Sequence, residues 1–457
     1  MEKNNISRRD FLKTMAAAGA AAGLSACAGG SSGNSADGSG ISGEMTMRTN
    51  PKTGDKVSLL GFGMMRLPFI KGHDGKDIID QETVNRMVDY AIEHGVNYFD
   101  TSPAYCQGLS EEATGIALSR YPREKYFVAT KLSNFNPSTH SLKASKEMYY
   151  NSMKALKVDC IDYYLLHSIG SGGMEEFDRR YGKNGALDFL LEERAAGRIR
   201  NLGFSFHGDI RVFDYLLSRQ DEYKWDFVQI QMNYLDWKYA HQANRKNTNS
   251  DYQYYELEKR GIPAVIMEPL LGGRLANMAD NVMLQLQEKE PEMSVASWAF
   301  RFVGTYPGVL TALSGMTRME HLQDNLKTYC PLKPLSEEEL AFLQHIADVM
   351  MRFKTIPCND CKYCMPCPYG LDIPAILLHY NKCLNEGNIP TSSQDPEYRK
   401  ARRAYLVGYD RSVPKLRQAS HCIGCGQCIP HCPQNIDIPK ELHRIDAYVE
   451  KLKQETL

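Results

Sequence analysis

Eight of the thirteen cysteines fall into two tight runs near the C-terminus, Cys358, Cys361, Cys364 and Cys367, then Cys422, Cys425, Cys428 and Cys432. The second run reads Cys-Ile-Gly-Cys-Gly-Gln-Cys-Ile-Pro-His-Cys-Pro. That is C-x2-C-x2-C-x3-C-P, the spacing by which one short loop supplies thiolates to a four-iron, four-sulfur cluster. The first run is one residue shorter before its last cysteine and keeps the proline that stops the loop from continuing into a helix. Together the runs offer enough ligands for two [4Fe-4S] clusters. Disulfides, or zinc held by paired C-x2-C units, are the alternatives. Zinc needs only two well-separated pairs, whereas here three or four cysteines recur at one short interval, which suits a cubane cluster better than a single tetrahedral ion.

The runs resemble those of bacterial-type two-cluster ferredoxins. The resemblance implies that the fourth cysteine of each run ligates the other cluster, so Cys367 and Cys432 are expected to cross over. Cys27, Cys106, Cys160, Cys330 and Cys383 lie outside the runs, and most are read as small buried hydrophobes.

At 457 residues and 43% hydrophobic content the chain can build a large domain and a small one. With 54 basic against 55 acidic residues the formal charge is −1, which gives no electrostatic case for nucleic acid as a partner. The longest apolar run, Met15 to Leu24, is too short and too rich in alanine and glycine to span a membrane. It follows Ser7-Arg8-Arg9-Asp10-Phe11-Leu12-Lys13, which looks like a twin-arginine export signal. Leu24-Ser25-Ala26-Cys27 resembles a lipoprotein processing box, making Cys27 a candidate lipid anchor on the extracytoplasmic face of the membrane; without it the protein is expected in the periplasm. Gly29 to Gly43 has the glycine and serine content of a flexible tether.

Between tether and cysteines, short β-branched or aromatic runs alternate with amphipathic helical stretches. The expected strands are Val57–Phe62, Tyr98–Thr101, Tyr126–Lys131, Asp162–His167, Ile199–Phe204, Phe227–Met232, Ala264–Glu268 and Leu310–Leu313, with helices such as Thr83–Glu93, Ser141–Leu156, Ala186–Ala196 and Val295–Phe302 between them. Eight such units predict an α/β fold, a (β/α)8 barrel, followed by a small, mainly helical and loop, ferredoxin-type domain. A doubly wound sheet is the runner-up, weakened because no Gly-x-Gly-x-x-Gly opens a helix after the first strand. The expected boundaries are 1–27 for the signal, 28–47 for the tether, 48–333 for the barrel and 334–457 for the cluster domain.

Barrel chemistry sits at the C-terminal ends of the strands, where the sequence places Asp100, Tyr105, Lys131 and His167. The segments Gly95-Val-Asn-Tyr-Phe-Asp-Thr-Ser-Pro-Ala-Tyr105, Val128-Ala-Thr-Lys131 and Tyr163-Tyr-Leu-Leu-His167 resemble signature segments of the aldo-keto reductase superfamily. The resemblance spans about Val57 to Tyr329 and implies that these four residues are its catalytic tetrad. Reducing a carbonyl requires a hydride to carbon and a proton to oxygen; Tyr105 would give the proton, Lys131 would lower its pKa, Asp100 would fix the lysine and His167 would hold the carbonyl oxygen.

The resemblance further implies NAD(P)H, with NADPH favoured. Ser205 and Gln229 correspond to residues that grip the carboxamide, and Gly272, Gly273, Gly315, Thr317, Arg318 and Asn325 fall in the loops after the seventh and eighth strands, where barrels commonly bind phosphate. Phe206 stands where an asparagine is usual, Met267 where a tyrosine often stacks on the nicotinamide, and Cys106 where a glycine often follows the tyrosine. The glycine-rich stretch from Ser168 to Gly185 reads as a substrate-gating lid or a solvated insertion.

Fusions of such a barrel to a two-cluster module form a known subgroup of the superfamily. The resemblance to them makes the chain an exported oxidoreductase of small carbonyl or alcohol compounds, exchanging electrons with a redox protein or membrane donor. The alternative is an electron-transfer protein whose barrel is a scaffold or partner-binding module.

Overall fold

A computed structural model describes residues 41–243, 247–352 and 355–457. The arginine pair, Cys27 and the tether as far as Gly40 lie outside the described residues. Two antiparallel strands, β1 (Met47–Thr49) and β2 (Lys56–Ser58), precede the first barrel strand, β3 (Leu60–Gly63). A second antiparallel pair, β4 (Phe69–Lys71) and β5 (Asp77–Ile79), follows it. The remaining barrel strands are β6 (Tyr98–Asp100), β7 (Phe127–Leu132), β8 (Ile161–Ile169), β9 (Ile199–Phe206), β10 (Phe227–Gln231), β11 (Ala264–Met267) and β12 (Val309–Ser314).

All eight barrel strands pair in parallel, and β12 closes onto β3, leaving no edge. Every expected strand is present within a few residues of its predicted ends. Because both faces of each strand are buried, β8 reads as an almost unbroken apolar run rather than an alternation. One set of side chains, among them Val57, Tyr98, Tyr163, Phe227 and Leu310, fills the interior. The other set packs against the surrounding helices. Asn50, from the turn between β1 and β2, bonds to Tyr163 Oη and Asn201 inside the barrel. The hairpin therefore closes the N-terminal end and leaves the opposite mouth for chemistry.

Two segments depart from the expected boundaries. Met45 is buried in the barrel core and Thr46 bonds to Tyr329, so the last residues assigned to the tether are held in place. The helix Glu337–Met350, started by a capping box of Ser336 and Glu339, packs Leu343, Ile346 and Ala347 into the same core. A separate core begins only at Ile356.

That second core is made by three helices, Ile373–Asn385, Tyr398–Ser412 and Ile438–Gln454. The first and third each follow a cysteine run and start in the same way: Asp372 and Asp437 cap Ala375 N–H and Lys440 N–H, and Pro374 and Pro439 occupy the first turn, where a missing N–H costs nothing.

Candidate active site at the barrel mouth

Lys131, inside β7, is fully buried and directs Nζ to Asp100 Oδ1 at 2.6 Å and to the Thr101 carbonyl at 2.8 Å. Burial raises the Asp100 pKa and lowers that of Lys131, and their mutual attraction opposes both shifts. Gln229 faces Asp100 and favours its charged form. Tyr105 follows β6 in a tight turn whose next residues, Cys106 and Gln107, take positive φ. Lys131 Nζ lies 4.7 Å from the Tyr105 ring centre, and the His167 ring stands edge-on to Tyr105 at 6.0 Å. The four residues thus converge on one spot.

The expected depression of the Tyr105 pKa by Lys131 does not occur. Burial pushes the phenol well above its ordinary range, and the neighbouring Tyr363 and Asp100 push the same way. The ammonium is engaged by Asp100, so Tyr105 stays protonated at neutral pH and is equipped to donate. Burial, with Lys131 and Arg180 nearby, pushes His167 well below its ordinary value, so its imidazole is neutral.

Sequence reasoning missed the groups that orient His167. Ser133 Oγ lies 2.6 Å and Ser102 Oγ 3.4 Å from Nδ1, and the two hydroxyls are 2.8 Å apart. The stretch after β8 is neither a lid nor a solvated insertion. Its Arg180 and Tyr181 are buried; Arg180 donates to the carbonyls of His167 at 2.6 Å and Ser168 at 3.3 Å, and Tyr181 Oη accepts from His167 N–H and donates to Leu132 O. It is a clamp on the end of β8. Mixed charge and glycine content masked it, because the residues that do the clamping are polar.

The residues expected to hold nicotinamide divide into groups. Ser205, buried in β9, accepts from Ser168 N–H, and Gln229 faces Asp100, so both border the four-residue centre. Asn325 is turned inward onto Ser314 Oγ at 2.9 Å. Arg318 is exposed at the start of the helix Met319–Tyr329, and Gly273 has open space beside it. Gly272 and Thr317 are partly buried, and Gly315 is exposed. A Cβ on Gly272 would meet the Asn359 carbonyl at 2.3 Å, one on Gly315 would meet Arg66 Cδ at 3.0 Å, and Thr317 Oγ1 donates to the Arg66 carbonyl. The carboxamide side therefore fits a nicotinamide, while the space at Gly272 is filled by the backbone of Asn359.

The covering segment comes from the first cysteine run. Tyr363 neighbours the Tyr105 phenol, and its ring centre lies 6.4 Å from His167 and 6.1 Å from Phe135. Its position between Cys361 and Cys364 gives no sign in the sequence of a role in the barrel.

Among the thiols, Cys361 has Cys432, Cys364 and Cys358 as electrostatic neighbours, whereas Cys428 has Cys422, Cys425 and Cys367. The tertiary fold places Cys432 with the first run and Cys367 with the second. Burial raises the thiol pKa of Cys358, Cys361 and Cys432, and backbone N–H groups of Asp360, of Tyr363 and of Ile436, Gln434 and Asn435 respectively oppose that rise. No disulfide joins any described cysteines, and among the described residues no three His, Cys, Asp or Glu side chains converge tightly enough for a single metal ion. Two spaced sets of four thiols with amide donors fit two cubane clusters.

These features define an α/β barrel oxidoreductase with a cysteine module docked at its mouth. The chain belongs to the aldo/keto reductase family, whose model matches residues 59–348. A 4Fe-4S dicluster domain matches residues 357–437 and a twin-arginine translocation signal residues 5–25. Among curated relatives, L-galactose dehydrogenase of Arabidopsis thaliana is 23% identical over 65% of this chain and 92% of its own. Protein tas of Escherichia coli is 24% identical over 65% of this chain and 96% of its own. Among solved structures, the holo form of aldo-keto reductase AKR11C1 from Bacillus halodurans superimposes with a TM-score of 0.52 at 23% identity, over 66% of this chain and 96% of that one.

Proposed function

We propose that the protein is an exported oxidoreductase that interconverts a small carbonyl compound and its alcohol at Asp100, Tyr105, Lys131 and His167, with a redox module of two [4Fe-4S] clusters. The observation that carries this reading is the fully buried Lys131–Asp100 pair beneath a protonated Tyr105. A carbonyl oxygen entering between Tyr105 and His167 would receive a proton from Tyr105 Oη as negative charge develops on it. His167, neutral and fixed through Nδ1 by Ser133, would keep that oxygen in line. Lys131 offsets the charge left on the phenolate once the proton has moved, and Asp100 keeps the lysine from leaving its site.

Nicotinamide, NADPH ahead of NADH, would supply the hydride; this part of the reading rests on the family and on Ser205 and Gln229. The clusters, held by Cys358, Cys361, Cys364 and Cys432 and by Cys367, Cys422, Cys425 and Cys428, would exchange electrons one at a time with a redox protein or a membrane electron donor. Export with bound clusters places the enzyme outside the cytoplasm, with Cys27 as its lipid anchor.

Tyr105→Phe tests the reading. It removes the proton donor with little change of shape, and reduction of carbonyl substrates should fall by at least ~10²-fold with iron content unchanged. Unchanged turnover would favour the alternative, an electron-transfer protein with the barrel as scaffold.

A further inference from the structure

The segment from Asn359 to Tyr363, between the first and third cysteines of the first run, lies on the barrel mouth and is fastened there at several points. Asn359 packs its backbone against Gly272, where even a methyl group would lie 2.3 Å from the Asn359 carbonyl and 2.5 Å from its Cα. Arg66, at the end of the short 3-10 turn Met64–Arg66 that follows β3, donates through Nη2 to the Asn359 carbonyl at 2.5 Å and reaches Asp360 through Nη1 at 3.4 Å. The stem of the same arginine runs beside Gly315, which stays exposed. Arg274 donates to Thr355 at 2.8 Å just upstream. At the far end the Tyr363 phenol meets Tyr105. Gly272, one of the glycines at which a dinucleotide phosphate would approach the backbone, is thus met by the backbone of this segment.

We propose that Asn359–Tyr363 is a resident occupant of the dinucleotide cleft, so that docking of the cluster module and binding of a nicotinamide dinucleotide exclude each other, and that Tyr363 is an active-site residue contributed by the module. The inference rests on the reading of Tyr105 as the proton donor. Tyr363 neighbours the hydroxyl to which a substrate oxygen would bind, so substrate must displace it. The dinucleotide gains access only in the fraction of molecules whose segment has withdrawn, and its apparent affinity is reduced by that fraction. The physical basis is steric at Gly272, where a backbone carbonyl fills the space, and polar at Arg66, whose guanidinium holds that carbonyl in place.

The test is equilibrium binding of NADPH and NADH to anaerobically purified full-length protein, wild type against Arg66→Ala/Tyr363→Ala, followed by nicotinamide fluorescence. The double variant keeps every cysteine, and iron and sulfide content confirm that it is loaded. It should bind NADPH at least ~10-fold more tightly than wild type, the signature of relieving a self-occupied state. Equal micromolar affinity in both proteins would overturn the proposal, since the segment would then exclude nothing. Failure of both to bind would overturn it too, because the obstruction would lie elsewhere. A second readout is the electron paramagnetic resonance signal of the reduced clusters, which should change on adding NADPH to wild type as the segment lifts away; an unaltered signal with saturating NADPH bound would sink the idea. The Tyr105→Phe turnover test is independent of these binding measurements, so failure of the catalytic reading and failure of the occupant proposal are told apart.

Discussion

His167 shows how much of this site is decided by the removal of water. An imidazole left in solvent titrates near ~6.5, but here burial and two nearby cations keep it neutral, and His207 at the end of β9 is pushed down to about 4 by burial alone. Both folded-state values lie below the unfolded one. As pH falls through about 6.5 the unfolded chain therefore binds protons that the folded chain refuses, and the stability present above that pH is lost toward about 4. The denaturation midpoint should decline between pH 7 and 5, and His207→Gln should flatten that decline. An equal slope in the variant would assign the acid sensitivity to other groups. Because His167 stays neutral across this range, turnover should show no limb assignable to it between pH 6 and 8.

Among the elements, the stretch between β8 and the helix Ala186–Ala195 matters most to the centre. Arg180 holds two successive carbonyls at the end of β8 and also reaches Asn134 Oδ1 at 3.2 Å, so one guanidinium joins β8 to the segment after β7. Its planar fork suits this in a way that a point ammonium does not. Arg180→Ala should lower kcat by about 10- to 100-fold through loss of His167 alignment, with iron content unchanged, and Arg180→Lys should recover only part of it. Steady-state kinetics beside iron analysis will check this; a change confined to KM would mean that the element serves substrate entry after all.

For the whole molecule the question is what passes between module and barrel. Anaerobically purified protein should carry about eight iron and about eight acid-labile sulfide per chain, as expected for two [4Fe-4S] clusters. Cys425 is exposed on the module, with Ile423 and Ile429 exposed beside it, which makes that end the accessible side for an external partner. Cys425→Ser should cripple turnover driven by a one-electron donor and leave single-turnover hydride transfer from added NAD(P)H nearly untouched. Wild-type behaviour with the one-electron donor would make that cluster structural. Loss of the single-turnover reaction as well would show that the module holds the barrel together.

What could be read from residue order alone was whatever is local or periodic. Strand runs such as Tyr163–His167 announce themselves because a doubly buried strand needs an unbroken apolar stretch. Cluster ligands announce themselves because one loop must supply several thiolates at close spacing. Asp100, Tyr105, Lys131 and His167 were legible because strand ends in a barrel share one rim. Tertiary structure decided what depends on contacts between distant residues: the partnering of Cys432 with the first run, the protonated state of Tyr105, and the clamp of Arg180. It also placed Tyr363 on Tyr105 and Asn359 on Gly272. No periodicity links residue 363 to residue 105, and the burial that raises the Tyr105 phenol comes from residues distant in the chain, Tyr363 among its neighbours.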